Sequence, residues 1–223
     1  MKLTKAKIKI IEVEARKYFV KATGCHDWSH VERVRQVALR IGRIEKADLL
    51  IVEAAALLHD IARNEEIRRK GNFCHALEGA KLARKILGKL DIDEEIVEQV
   101  AHAIEAHRKR NDCQPATLEA KVLQDADRID SIGAVGIGRN FLFAGNAGSN
   151  NLYTGNEQKI IKAGLAEDYV YTKEDSAILE YEAKLKYIYA KILTKSGKQI
   201  AKARSDFQDK FFKQFWLEVK GRK

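Results

Sequence analysis

A chain of 223 residues is long enough for one domain with a substantial core, and a single proline, Pro115, with 33% charged residues suits long helices. The formal net charge of +9 admits nucleic acid or anionic small molecules such as nucleotides as partners, but the cations are dispersed apart from Arg108-Lys109-Arg110 and Lys220-Gly221-Arg222-Lys223. Cys25, Cys74 and Cys113 form no Cys-x-x-Cys pair, the first twenty residues lack a signal-peptide pattern, and no apolar run is bilayer-long. These features predict a cytoplasmic protein with reduced thiols, no disulfide framework and no membrane partner.

Apolar residues at Ile8, Ile11, Ala15, Tyr18 and Phe19 predict a helix over 7–21, broken at Thr23-Gly24. Then comes His26-Asp27-Trp28-Ser29-His30, followed by Val31, Val34, Val37, Ala38 and Ile41 at helical spacing. With Asp27 or Ser29 as N-cap, His30 falls in the first turn. The stretch Leu49 to Leu58 is apolar on nearly all sides, which predicts a helix buried in the middle of a bundle. It ends in His59-Asp60. Burying a neutral polar group without a partner costs roughly 2–7 kcal/mol, and a charge more. A divalent cation would remove that cost.

Residues 63–73 are charged and loop-like; helices are predicted over 75–87, 91–108 and 118–132, with a loop at 110–117 around Pro115. From Gly133 to Gly155 the chain carries glycines at 133, 136, 138, 145, 148 and 155 and several asparagines. That composition predicts a lid or substrate loop, with its outer boundary at 165. A long amphipathic helix is predicted from Lys173 to about Thr194. A last helix runs from Ser196-Gly197 to Val219, where Phe207, Phe211, Phe212, Phe215 and Trp216 form a core-packing stripe.

The candidate metal ligands are His30, the His59-Asp60 pair and one carboxylate within Gln124-Asp125-Ala126-Asp127-Arg128-Ile129-Asp130, each on a separate helix. Imidazole with carboxylate suits Mn²⁺, Fe²⁺, Zn²⁺, Co²⁺ or Ni²⁺ better than calcium. Four protein ligands leave an octahedral cation two positions, for water and a phosphate oxygen. Such a cation lowers the pKa of its water and polarises a phosphoryl group.

The order His, His-Asp, Asp resembles the HD superfamily of metal-dependent phosphohydrolases, whose signature reads here as His30, His59, Asp60 and Asp127. The stretches from His26 to Val34, Ala55 to Ile61, Thr117 to Asp130, Gly133 to Arg139 and Gly197 to Arg204 are similar to the bacterial YpgQ/YedJ-type branch. The resemblance implies an all-α, single HD-domain helical bundle: core over 20–145, glycine-rich lid over 133–165 and C-terminal helices over 168–220. It also implies hydrolysis of (deoxy)nucleoside triphosphates to monophosphate and pyrophosphate, with Mn²⁺ favoured over Mg²⁺, Co²⁺, Ni²⁺, Fe²⁺ or Zn²⁺. Asp127 is then the ligand, and Asp130, one turn on, holds a ligand or the helix end in place. His75 and His107 resemble second-metal ligands of dinuclear relatives, or else bind phosphate or act as acid to the leaving group. His26 and Asp27 support or cap, and His102 is structural or exposed. Arg63 stands where some relatives place a phosphate-reaching lysine. Arg63-Asn64 replaces the Glu-Asp pair of guanosine-tetraphosphate hydrolases, which argues against that activity. Glu65 and Glu66 are candidate bases, and Arg128, Arg139, Lys184 and Arg204 are candidate partners for a polyphosphate. The alternatives are a nucleotidase or cyclic-nucleotide phosphodiesterase on the same metal site, and a basic helical nucleic-acid-binding module without turnover.

Overall fold

The computed structural model describes residues 1–20, 22, 24–69, 72–108, 113–149, 151–162, 164 and 175–222. Among them the regular structure is entirely helical. The chain divides into two compact units, one of residues 1–127 with 193–197 and one of residues 128–192 with 198–223.

In the first unit the apolar helix α3 (Leu49–Leu58) is central, as its lack of a polar face requires. It packs against α1 (Lys5–Arg16), α2 (Trp28–Glu45), α5 (His75–Gly88) and α6 (Glu94–Ala106). Val52, Ala54, Ala55, Ala56, Leu57 and Leu58 have no exposed surface. Asp48 caps α3 by accepting from the N–H groups of Leu50 and Ile51. The segment 63–73, expected to be a loop, begins with a short helix, α4 (Arg63–Arg68). Its acidic first turn, Glu65-Glu66, and basic last turn, Arg68, complement the helix dipole and outweigh the dense charge. The helix α7 (Leu118–Asp130) begins at Thr117, whose hydroxyl accepts the Ala120 N–H. Asp125, in α7, accepts from the Leu193 and Thr194 N–H groups and the Thr194 hydroxyl at 2.7–2.8 Å, holding the 193–197 segment.

The second unit contains α8 (Gly133–Asn146), α9 (Glu157–Lys162), α10 (Ala177–Ala183) and residues 198–219 of α11 (Lys195–Val219). Its core gathers Ile137, Ile178, Tyr181 and Phe212, with Phe141, Leu185, Phe215 and Trp216 packed against them. The aromatic stripe is thus only partly core, since Phe207 is 51% exposed.

Two further expectations differ from the structure. The first half of the predicted lid is the helix α8. Glycine disfavours helix by about 1 kcal/mol relative to alanine, but two of these glycines answer to space and conformation. Gly133 has φ +78°, and a Cβ there would lie 3.0 Å from the Arg204 side chain. A Cβ on Gly136 would lie 2.3 Å from the Ser131 carbonyl oxygen. The second correction concerns the long helix predicted from Lys173 to Thr194. After α10 it breaks into 3-10 turns at Leu185–Tyr187 and Tyr189–Lys191, and residues 173 and 174 lie outside the described residues.

Candidate metal centre

Helix ends converge in the first unit. Asp27 caps α2, its carboxylate accepting the His30 N–H, so His30 enters in the first turn, fully buried. His59 stands at the C-cap of α3 and is fully buried, with Asp60 next in the chain. His75 opens α5, His107 closes α6, and Asp127 lies near the end of α7.

Three groups of donor atoms result: His26, His30 and Asp60; His30, His59 and Asp127; and Asp60, His75 and His107. His30 Nε2 lies 3.3 Å from His59 Nε2, 3.4 Å from Asp127 Oδ1 and 3.6 Å from Asp60 Oδ2. His75 Nε2 lies 3.2 Å from both His107 Nε2 and Asp60 Oδ1. His26 Nδ1 is 3.3 Å from Asp60 Oδ2.

The backbone settles two tautomers. His59 Nδ1 lies 2.8 Å from the Ala56 carbonyl and His107 Nδ1 2.5 Å from that of Ile104; a carbonyl only accepts, so both Nδ1 atoms donate. When neutral, each ring therefore turns an Nε2 lone pair inward. Around His30 Nε2, three acceptors (His59 Nε2, Asp60 and Asp127) compete for at most one proton. Around His75 Nε2, His107 Nε2 and Asp60 do the same. A divalent cation satisfies acceptors that protons cannot, so these residues fit one.

The electrostatics agree. Burial pushes His59 down, and burial with neighbouring His75 and His59 pushes His107 down to about 4, so both favour the neutral, ligating form. Burial opposes ionisation of Asp60, but His59 and hydrogen bonds from His26 and His75 hold its carboxyl well below the usual range. Asp127 is likewise held low against burial, chiefly by His30. His75 is raised: burial opposes its charge, and Asp60 and Glu66 outweigh that.

Arg63 also belongs to this cluster, with Nη1 3.2 Å from His75 Nδ1 and paired with Glu66. Five further candidates lie in the second unit. Asp130, 1% exposed, pairs with Arg139 at 2.7 Å; Arg128 donates to the Lys191 carbonyl, Arg204 to that of Ile129, and Lys184 pairs with Glu180. Glu65 is engaged by Arg68 and Arg69. His102 is structural: its Nε2 accepts the Ala116 N–H at 3.0 Å. Asn64 donates to the Tyr18 carbonyl. Arg108 pairs with buried Glu66, and its sole signal in the sequence is the 108–110 charge cluster, whose residues 109 and 110 lie outside the described residues.

Helices carrying His, His-Asp and Asp around one buried centre define a metal-dependent hydrolase. The HD domain family matches residues 27–132, and the chain belongs to the HD-domain family of metal-dependent phosphohydrolases. It is 32% identical over 200 residues to YpgQ of Bacillus subtilis, covering 88% of this chain and 85% of that one. The crystal structure of Bacillus subtilis YpgQ in complex with ADP is similar with a TM-score of 0.73 at 29% identity, covering 96% and 95% of the two chains. An HD-superfamily hydrolase from Bacillus thuringiensis is similar with a TM-score of 0.70 at 27% identity, covering 96% and 97%. Among the described residues no helix is long and apolar enough to cross a membrane.

Proposed function

We propose that this protein hydrolyses (deoxy)nucleoside triphosphates to the monophosphate and pyrophosphate, with a divalent cation, Mn²⁺ favoured, held by His30, His59, Asp60 and Asp127. The observation that carries the reading is the convergence of these four residues, from α2, α7 and the α3 terminus, around the buried His30 Nε2. The ADP complex of YpgQ supports a nucleotide as ligand. When bound, the cation supplies Lewis acidity at a phosphoryl group and a more acidic water.

The chain's own residues do the rest. Asp60 and Asp127 stay ionised and set a negative centre that attracts the cation. His75, set between Asp60 and Glu66, is the group that would give an Nε2 proton to the leaving-group oxygen when its ring carries both protons. Arg63, half-buried beside it, would face phosphate charge. A second reading makes Asp60, His75 and His107 the holders of a second cation, favoured by their grouping as donors.

The test is metal-stripped protein supplied in turn with Mn²⁺, Mg²⁺, Co²⁺, Ni²⁺ or Zn²⁺ and offered nucleoside mono-, di- and triphosphates. Pyrophosphate and orthophosphate are followed separately. Pyrophosphate from triphosphates is expected. Orthophosphate from monophosphates, with triphosphates untouched, would replace this reading with a nucleotidase.

A further inference from the structure

Glu66 is 5% exposed, and no role in hydrolysis follows from the signature residues. Its carboxylate is the meeting point of four groups. Oε2 lies 2.8 Å from His75 Nδ1, Oε1 accepts the His75 backbone N–H at 3.4 Å, and Arg63 and Arg108 each pair with it through Nη1. With so many donors on one buried carboxylate, Glu66 is not free to deprotonate a water, and it is held far below the usual glutamate range against the opposing effect of burial.

The same geometry crowds His75 Nδ1. Arg108 Nη1 lies 2.9 Å and Arg63 Nη1 3.2 Å from it. Guanidinium nitrogens are donors only, and Nδ1 is either a donor or an acceptor. If Glu66 accepts from Nδ1–H, both arginines direct their hydrogens to the carboxylate. If Glu66 is gone, the arginine N–H groups have Nδ1 as the acceptor within reach. Nδ1 then gives up its proton, and the neutral ring carries its hydrogen on Nε2, the atom facing Asp60 and His107 at 3.2 Å. That tautomer is a poor acid and has no lone pair on the inner side. Glu66 therefore chooses which face of His75 does chemistry.

We propose that Glu66 is the positioning residue of the centre: by accepting the His75 Nδ1 proton and engaging Arg63 and Arg108, it reserves Nε2 for the reaction. With Nδ1 protonated, Nε2 delivers a proton when the ring carries both, and offers its lone pair to a second cation when the ring is neutral. It deepens the phosphohydrolase reading, and it rests on that reading only for its effect on turnover.

The experiment is ¹⁵N NMR of the histidine rings in the full chain without substrate, at a pH where the rings are neutral, with His75 assigned by its loss in His75→Ala. The wild type and Glu66→Gln, whose amide oxygen still accepts, are expected to show a protonated Nδ1. Glu66→Leu is expected to show an unprotonated one. In Mn²⁺-dependent turnover, Glu66→Leu should lose on the order of 10–100-fold in kcat, the usual cost of losing a group that orients a ligand, while Gln stays within a few-fold. An unprotonated Nδ1 in the wild type, or Glu66→Leu with wild-type ring signals, overturns the proposal. Should Glu66→Leu fail to fold, the wild-type and Gln spectra still decide. Because the spectra need no substrate, failure of the nucleotide assignment leaves this result intact.

Discussion

The Nε2 atoms of His30 and His59 stand 3.3 Å apart, and the Ala56 carbonyl fixes His59 so that its lone pair points at His30. With Asp127 and Asp60 also near His30 Nε2, the metal-free centre holds more acceptors than protons. Supplying a cation should therefore stabilise the fold and not merely switch on turnover. At a concentration of one hundred times its dissociation constant a ligand adds about 2.7 kcal/mol. For a chain of this size that is roughly 5–10 °C in melting temperature. Differential scanning of metal-stripped protein with Mn²⁺ reads it directly; no shift with any divalent cation would remove the metal centre from the account.

In the second unit, Gly136→Ala places a methyl group 2.3 Å from the Ser131 carbonyl. Backbone cannot swing aside as a side chain does, so the start of α8 must shift. Overpacking of this kind costs about 1–3 kcal/mol. Gly138→Ala meets nothing within 4 Å and should be neutral or mildly stabilising through helix propensity. Paired urea melts check this: equal midpoints for the two variants would mean that the close approach at Gly136 is not what restricts it.

Those glycines also show where the sequence was legible. The buried helix α3 was readable because ten residues without a polar face have only one stable place. The meeting of the His30, His59, Asp60 and Asp127 side chains was legible because the resemblance set the spacing and each falls at or near a helix end. Gly133–Asn146 was not, since glycine reports permissiveness and the contact that selects helix here, Gly136 against Ser131, is invisible in a string. Glu66 was singled out as a candidate base, not as the partner of His75. Nothing in Arg-Asn-Glu-Glu says that this carboxylate meets His75 nine residues on and Arg108 forty-two residues on.

Acid should weaken the second unit through Glu157. This carboxylate is 2% exposed and accepts from the Thr154 N–H at 2.6 Å and the Ser176 hydroxyl at 2.7 Å. Burial would raise it, but the two hydrogen bonds outweigh that and lower it from 4.5. A carboxylate lower in the folded than the unfolded state contributes stability that is full above the unfolded value and is lost as pH falls through the folded one. Glu157→Gln should therefore be less stable at neutral pH and less sensitive to acid below about pH 4.5. Denaturant melts across that range decide; parallel curves for wild type and variant would show that Glu157 contributes no linkage.

Asp125 and Asp127 are two residues apart on α7 and should fail in opposite ways. Asp125 is fully buried and accepts three hydrogen bonds from Leu193 and Thr194, none of them part of the donor groups at the centre. Asp127 keeps 29% of its side chain exposed and faces His30 at 3.4 Å. Asp125→Ala strands three donors and should cost on the order of 3 kcal/mol, while folded molecules retain turnover within a few-fold. Asp127→Ala should leave helix content and metal-free stability nearly unchanged. It should nonetheless abolish hydrolysis and shrink the Mn²⁺-induced rise in melting temperature, and Asp60→Ala should abolish hydrolysis too. Circular dichroism, melts with and without Mn²⁺, and turnover per folded molecule separate the cases. Full activity in Asp127→Ala would remove it from the ligand set, and loss of turnover in folded Asp125→Ala would show that the 193–197 segment does more than close the fold.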